Sequence, residues 1–488
     1  MGQQISDNQS FPSPGNRVVA GISWSAFERF SVQGIQFLVF VLMARRLMPT
    51  DYGLVSMLAL FITIAQLVAE GGLSQAIIRK LDRTKEDCST AFFVNLAIGV
   101  ALYLSLFASA PLISHFYGEP ELIPLLRVLA LCVIIQSTLV VHRALLTSRL
   151  DFKTQAKSTL VGAIVSGIVG LTLAYKGFGA WSIVGLQLAN QVATAGTLWA
   201  VTEWRPQFQF SVKAFRNLFG FGSKLLACNV LDSLFQSFYV LTIGKVFSAY
   251  ALGCYSNARQ LGSISSENLS RVVQRATFPM FCNIRADEAR MKAGINDYLR
   301  LATFFIAPLM LGLAALAEPL TTALIGHQWL YTARLLRILC LSFILFPINS
   351  INYMVLEIQG LAAKELKLQL FNVACGIIFL FAMLPFGLSA VCCGLLATSA
   401  ICFAVNSHVA GRSINFGFLS QFKTILPILV NSLVMAVVVY GVQTIIEDEW
   451  LKVTVGAIAG LLTYIGISVV FQTRTCMLVV NLLRNKRL

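Results

Sequence analysis

Apolar stretches of about twenty residues recur along almost the whole chain, and that recurrence leaves few folds open. A helix needs roughly 20 apolar residues to cross the hydrocarbon core of a bilayer. Inside that core only helices and closed barrels satisfy their own backbone groups. The stretches are residues 18–44, 54–78, 90–113, 122–143, 156–175, 179–200, 218–245, 250–275, 298–318, 334–358, 367–386, 387–410, 424–446 and 451–472. They predict an all-α integral membrane protein with about 14 transmembrane helices. Hydrophobic residues make up 57% of the chain and charged residues 12%, half the roughly 25% charged of soluble proteins. No segment between helices is long enough for a soluble domain. Gly2 to Asn16 are polar and lack a basic start and a small-residue cleavage site, so they read as a short cytoplasmic tail.

The stretch from Ala44 to Lys80 organises the rest. Pro49, Asp51 and Gly53 supply turn chemistry between two apolar runs, and the second run closes on Glu70-Gly71-Gly72-Leu73 and the charged Arg79-Lys80-Leu81-Asp82-Arg83. This predicts a helical hairpin. The pattern recurs at an offset of 200: Ser23 falls on Ser223, Ala44 on Gly244, Arg45 on Lys245, Gly53 on Gly253 and Ser56 on Ser256. Both copies run the same way, as in parallel repeats about an axis along the membrane normal. Lys176-Gly177-Phe178-Gly179 and Pro385-Phe386-Gly387 are predicted as tight turns between adjacent spans.

Net charge is +15, and its distribution sets orientation. With the amino terminus inside, loops at 79–85, 143–157, 205–224, 271–300, 364–367 and 412–423 and the basic tail place roughly 27 Lys and Arg on the cytoplasmic side against roughly 8 outside. Both termini are then cytoplasmic. Aromatic residues do not interleave with basic clusters, which argues against nucleic acid. The eleven cysteines show no paired CxxC spacing, so they read as packing residues rather than a zinc or disulfide framework. The four histidines have no carboxylate at metal-site spacing, and no HExxH, GxSxG or GxxxxGK[ST] occurs. With no nucleotide-binding motif the chain cannot itself use ATP, and no motif of a catalytic nucleophile or metal site is present.

Charges at membrane depth usually face a cavity or a partner. Arg29 lies about 18 Å along its helix from Arg17, and Arg259 about 14 Å past Tyr250. Glu28 and Asp232 are acids at similar depth. They either coordinate a driving H+ or Na+ or compensate Arg29 and Arg259; Glu267 is a further partner for Arg259. Glu70 lies nearer an inner helix end, where it ties a loop to Arg79 or Lys80. Ser256, Arg259, Ser263, Ser266 and Ser270 form one stripe at helical spacing on a helix too polar to face lipid. Ser25, Arg29 and Gln33 make a similar stripe, and Asn229 adds a neutral polar group at depth. Such groups suit sugar hydroxyls and equally serve as glue within a bundle.

Ala44-Arg45-x-Leu47-x-Pro49-x-Asp51-Tyr52-Gly53-Leu54-Val55, followed by an apolar helix, an acid, glycines and a basic end, resembles the first hairpin of polysaccharide flippases of the multidrug/oligosaccharidyl-lipid/polysaccharide exporter superfamily. Leu252 to Arg259 and Arg275 to Phe281 resemble that group's second-half hallmark. The likeness covers nearly the whole chain and is nearest to exporters of the colanic-acid and lipopolysaccharide (Wzx) type. It implies two pseudo-symmetric six-helix lobes (18–200 and 218–410) around a central cavity, a linker at 201–217, two further helices in 411–472 and a basic tail at 473–488. It also implies a bacterial inner-membrane protein that flips undecaprenyl-diphosphate-linked oligosaccharide for surface polysaccharide synthesis. The expected partners are that lipid, membrane lipids, a polymerase and a chain-length regulator, with the transporter itself a monomer. A multidrug or peptidoglycan-precursor exporter is the alternative within the superfamily, and a glycan polymerase or ligase, which would be expected to carry a sizeable outer polar loop not found here, is the enzyme-class alternative. Together with the missing nucleotide motif, the resemblance implies a secondary or uncoupled transporter. Members of the group carry an acid at the position of Glu70, which implies a cytoplasmic gate as the alternative role for that residue. For an anionic diphosphate, Arg29 and Arg259 are the candidate grips, because Arg donates bidentately to phosphate oxygens.

Overall fold

A computed structural model describes residues 31–80, 82–212, 215–216, 226, 230, 233–234, 237–285, 287–471 and 475–477. The chain forms two compact units, Met1–Gly253 and Cys254–Leu488. The described elements are helical, and ten of the helical runs are long and apolar enough to cross a membrane. Each of the fourteen predicted stretches contains helix. This is an all-α, multi-pass membrane protein.

The first unit runs through α1 (Ser31–Ala44), α2 (Pro49–Glu70), α3 (Leu73–Arg79), α4 (Lys85–Tyr117), α5 (Leu122–Leu129), α6 (Leu131–Ser148), α7 (Phe152–Tyr175), α8 (Ala180–Val201) and α9 (Ser237–Val246). Pro49 opens α2, where its missing N–H costs nothing, and the Asp51 carboxylate accepts from Met48 N at 2.8 Å. Gly53, expected in the turn, is instead buried inside α2. The turn itself is the short stretch Arg45–Met48.

The reason for glycine at 53 is a close approach. A Cβ there would lie 1.7 Å from Ala249 O, and a Cβ on Gly253 would lie 1.8 Å from Pro49 O. The two contacts are each other's images at the offset of 200, so the repeat legible in the sequence is also a contact in space. Small residues permit this kind of backbone approach between membrane helices.

Gly71 and Gly72, with φ of 55° and 66°, break α2 from α3 in the left-handed region that glycine enters freely. Thr84 and Asp87 open α4 with a reciprocal cap. Thr84 Oγ1 accepts from Asp87 N at 3.1 Å, and Asp87 Oδ2 accepts from Thr84 N at 2.8 Å. Asp87 also takes a 2.6 Å bond from Lys80 Nζ. After α8 the chain crosses the start of α4 as an extended strap. Gln207 N donates to Ser89 Oγ and Ser211 N to Thr90 Oγ1, each at 3.1 Å. Both hydroxyl residues are fully buried.

The helix α10 (Ala249–Asn283) begins in the first unit and continues into the second. The second unit adds α11 (Glu288–Ala315), α12 (Ala317–Ile325), α13 (Leu330–Ile344), α14 (Phe346–Ile358), α15 (Ala362–Met383), α16 (Leu388–Gly411), α17 (Phe418–Gln443) and α18 (Glu449–Phe471). Its main core joins α11, α14 and α16 through Ile295, Leu299, Ile351, Val355 and Phe403. A buried polar knot lies beside it. Asn352 Nδ2 donates to Ser407 Oγ and Gln421 Oε1, and Gln421 Nε2 returns a bond to Asn352 Oδ1 at 2.9 Å. The three residues satisfy one another, as polar groups inside a membrane bundle must.

Candidate functional site

Ser25, Glu28, Arg29, Asn229 and Asp232 lie outside the described residues. Gln33 is half-buried on α1. The remaining candidates sit on α10 and at the end of α2.

On α10 the predicted stripe divides. Ser266 is fully buried and donates to Phe343 O of α13 at 2.7 Å. One turn on, Ser270 is buried and donates to Ser266 O at 2.7 Å. A Cβ on Gly262 would meet the Phe343 ring at 2.7 Å, so α13 closes tightly over this part of the helix. These two serines bond within the bundle, Ser266 across to α13 and Ser270 back along α10. Ser256, Arg259 and Ser263, nearer the start of α10, are only half-buried. Arg259 hydrogen-bonds the Tyr255 hydroxyl, and Tyr255 is buried. Ser256 Oγ and Asn257 Nδ2 are buried with no partner among the described residues. This end of α10 thus offers a cation and unsaturated polar groups at one level. Glu267 is eight residues further along, a rise of about 12 Å from Arg259.

Glu70 does not reach toward Lys80, whose amine is bound to Asp87. It accepts instead from Gln136 Nε2 of α6 at 3.0 Å. The pair joins two membrane helices immediately before the double-glycine break.

One feature had no signal in the sequence. A cavity of about 570 Å³ opens between α11, α17 and α18. Its lining includes Phe304, Gly312, Met435, Gly456, Gly460 and Tyr464, and a Cβ on Gly456 or Gly460 would come within 2.9 Å of Leu316 or 2.8 Å of Val439. Its lining is almost wholly apolar, and the hydroxyl of Tyr464 is turned to Phe304 O at 2.8 Å. Apolar residues that line a cavity and those that fill a core are the same types, so periodicity cannot separate them. Among the described residues no cluster of His, Cys, Asp and Glu could hold a metal ion.

The chain is similar to known proteins along most of its length. It is 26% identical over 469 residues to the teichuronic acid biosynthesis protein TuaB of Bacillus subtilis (strain 168), covering 93% of this chain and 95% of that one. It is 27% identical over 325 residues to the succinoglycan biosynthesis transport protein ExoT of Rhizobium meliloti (strain 1021), covering 67% and 66%. Among solved structures, the lipid II flippase MurJ in its inward closed conformation superposes with a TM-score of 0.75 at 16% identity, covering 93% of this chain and 99% of that one. At that identity the likeness is one of fold. Residues 42–334 match the family described as "Polysaccharide biosynthesis protein". That match takes in both hairpin turns, the reciprocal glycines and the α10 stripe, and the chain belongs to the polysaccharide biosynthesis protein family.

Proposed function

We propose that this protein flips an undecaprenyl-diphosphate-linked oligosaccharide from the inner to the outer leaflet of the bacterial cytoplasmic membrane by alternating access, in the assembly of a surface polysaccharide. The observation that carries the reading is the apolar cavity between α11, α17 and α18. An apolar cavity of this kind suits a polyprenyl chain. The half-buried Arg259 and its polar neighbours supply chemistry of the opposite kind, suited to a diphosphate and the first sugars. TuaB is named for teichuronic acid biosynthesis and ExoT for succinoglycan biosynthesis transport, which favours a glycan cargo.

On this reading transport is secondary or uncoupled, with H+ or Na+ as the candidate coupling ion. Both termini and the stretch 79–89 face the cytoplasm, in keeping with the positive charge there. A polymerase and a chain-length regulator receive the flipped unit. The test is reconstitution in proteoliposomes with a fluorescent lipid-linked oligosaccharide and a membrane-impermeant quencher. Protein-dependent gain of quencher access is expected; equal access with and without protein removes the proposal.

A further inference from the structure

Glu70 is the last residue of α2, two residues before α3 begins, and Gln136 lies about 18 Å from the end of α6, counted at the helical rise. The pair therefore lies within the inner half of the span. Gln136 is 8% exposed. Its Nε2 donates to Glu70 Oε1 at 3.0 Å, and its Oε1 has no partner among the described residues. A buried amide oxygen without a donor carries an uncompensated desolvation cost. The ionised carboxylate beside it has only acceptors and cannot relieve that cost. A protonated carboxyl can, because its O–H is a donor.

Helices α4, α5, α6 and α8 pack on α2, and α1, α9 and the start of α10 touch its first half at Tyr52, Met57 and Gly53. On α2 itself the other charge is Asp51, near its start, and among the described residues α1 carries no charge and α9 carries Lys245. On α4 the charged residues are Lys85, Glu86 and Asp87 at one end and His115 at the other, with Tyr103 between. On α5 there is Arg127, whose guanidinium lies over the Phe107 ring. On α6 Cys132 is one turn from Gln136, and His142 lies about 9 Å further along, its ring against Trp199 and Trp204. Beyond it on α6 is Arg143, and α8 carries no charged residue. Past the glycine break α3 bears Arg79, and α7, packed on α6, bears Lys153 and Lys157 near its start.

We propose that Glu70 and Gln136 form a proton-binding pair, in which a proton taken from solvent sits on Glu70 Oε2 and is donated to Gln136 Oε1, closing a two-bond acid–amide ring between α2 and α6. Loss of the proton to solvent leaves one bond, from Gln136 Nε2 to the carboxylate. The ring lies directly before Gly71 and Gly72, where the backbone has two left-handed residues in succession. The strength of the α2–α6 tie at this joint thus follows the proton, which makes H+ rather than Na+ the coupling ion. The inference rests on the transport reading above.

The test uses the full chain in lipid. Infrared difference spectra between acidic and alkaline buffer are recorded for wild type, Glu70→Gln and Gln136→Leu. A protonated-carboxyl C=O band is expected in wild type and lost in Glu70→Gln. In Gln136→Leu the band is expected to move to the higher frequency of a carboxyl without a hydrogen bond. No band dependent on Glu70, or a band unmoved by Gln136→Leu, overturns the pair. In the flipping assay an inward proton gradient is expected to change the wild-type rate; a rate indifferent to the gradient overturns the coupling. Wild-type protein that never flips lipid sinks the transport reading instead, and the spectra still decide the pair.

Discussion

The reciprocal glycines give the sharpest quantitative expectation. In Gly53→Ala the new methyl lies 1.7 Å from Ala249 O, about 1.6 Å short of the roughly 3.3 Å at which such a carbon and oxygen touch. The obstructing atoms are backbone, so no side chain can swing aside, and the first turns of α2 and α10 must part. Overpacking of this kind costs about 1–3 kcal/mol. Parting the helices also gives up close Cα–H to carbonyl contacts at about 0.5–1 kcal/mol each. Against this stands the gain of up to about 1 kcal/mol for Ala over Gly in a helix. The net expectation is a loss of about 2–3 kcal/mol, measured by SDS titration in mixed micelles. Gly253→Ala, 1.8 Å from Pro49 O, should cost the same. One separation relieves both clashes, so the double variant should cost little more than either single, a coupling of about 1–2 kcal/mol. Gly196→Ala is the control: nothing lies within 4 Å of its Cβ, and it should be neutral or stabilising. Single variants as stable as wild type, or costs that add in full, would refute the contact.

Asp87→Ala removes an acceptor that serves Lys80 Nζ, Thr84 N and Thr84 Oγ1. With Lys80 30% exposed, the loss should be about 2–3 kcal/mol rather than that of a fully buried pair, read from the same titration. Gln421→Leu strands Asn352 and Ser407 in the buried knot and should cost about 2–4 kcal/mol, whereas Lys423→Ala, on the same helix, should cost less than about 0.5 kcal/mol. Arg259→Ala should abolish surface glycan at matched protein levels and Arg259→Lys should retain part of it, since Lys keeps the charge without the fork; full export in Arg259→Ala would remove it from the substrate path. Cysteines placed at Lys85 and Pro49 should label from opposite sides of the membrane, and labelling from one side would undo the hairpin.

Much of this fold is legible because a bilayer asks for one thing, about twenty apolar residues at a time, and the chain supplies it with little else between. The turn between α7 and α8 is equally plain: Gly177 and Gly179 adopt φ of 80° and 54°, which few other residues tolerate. Gly53 shows where such reading stops. A glycine beside Pro and Asp has the composition of a turn, and only the approach of Ala249 O reveals it as a contact residue. Glu70 shows the same limit in charge. The sequence places Arg79 and Lys80 nearby, but Thr84 and Asp87 form a cap that captures Lys80 first, and Gln136, 66 residues away, takes the carboxylate. The α10 serines share one helical face, yet α13 covers half of that face and leaves the rest open, a division that no periodicity records.

The strap after α8 bears on how this protein can be taken apart. Its polar residues and Pro206 mark it in the sequence as a place to divide the chain. In the structure its backbone is bonded to Ser89 and Thr90, and the ring of Trp204 lies against those of Phe92 and His142. Further on, Lys245 of α9 donates to Phe116 O at the far end of α4. Two fragments separated within Thr202–Val212 would therefore strip α4 of contacts at both of its ends. The loop between α10 and α11, where Arg285 and Asp287 are exposed, interrupts none of these bonds and is the better seam for co-expressed halves.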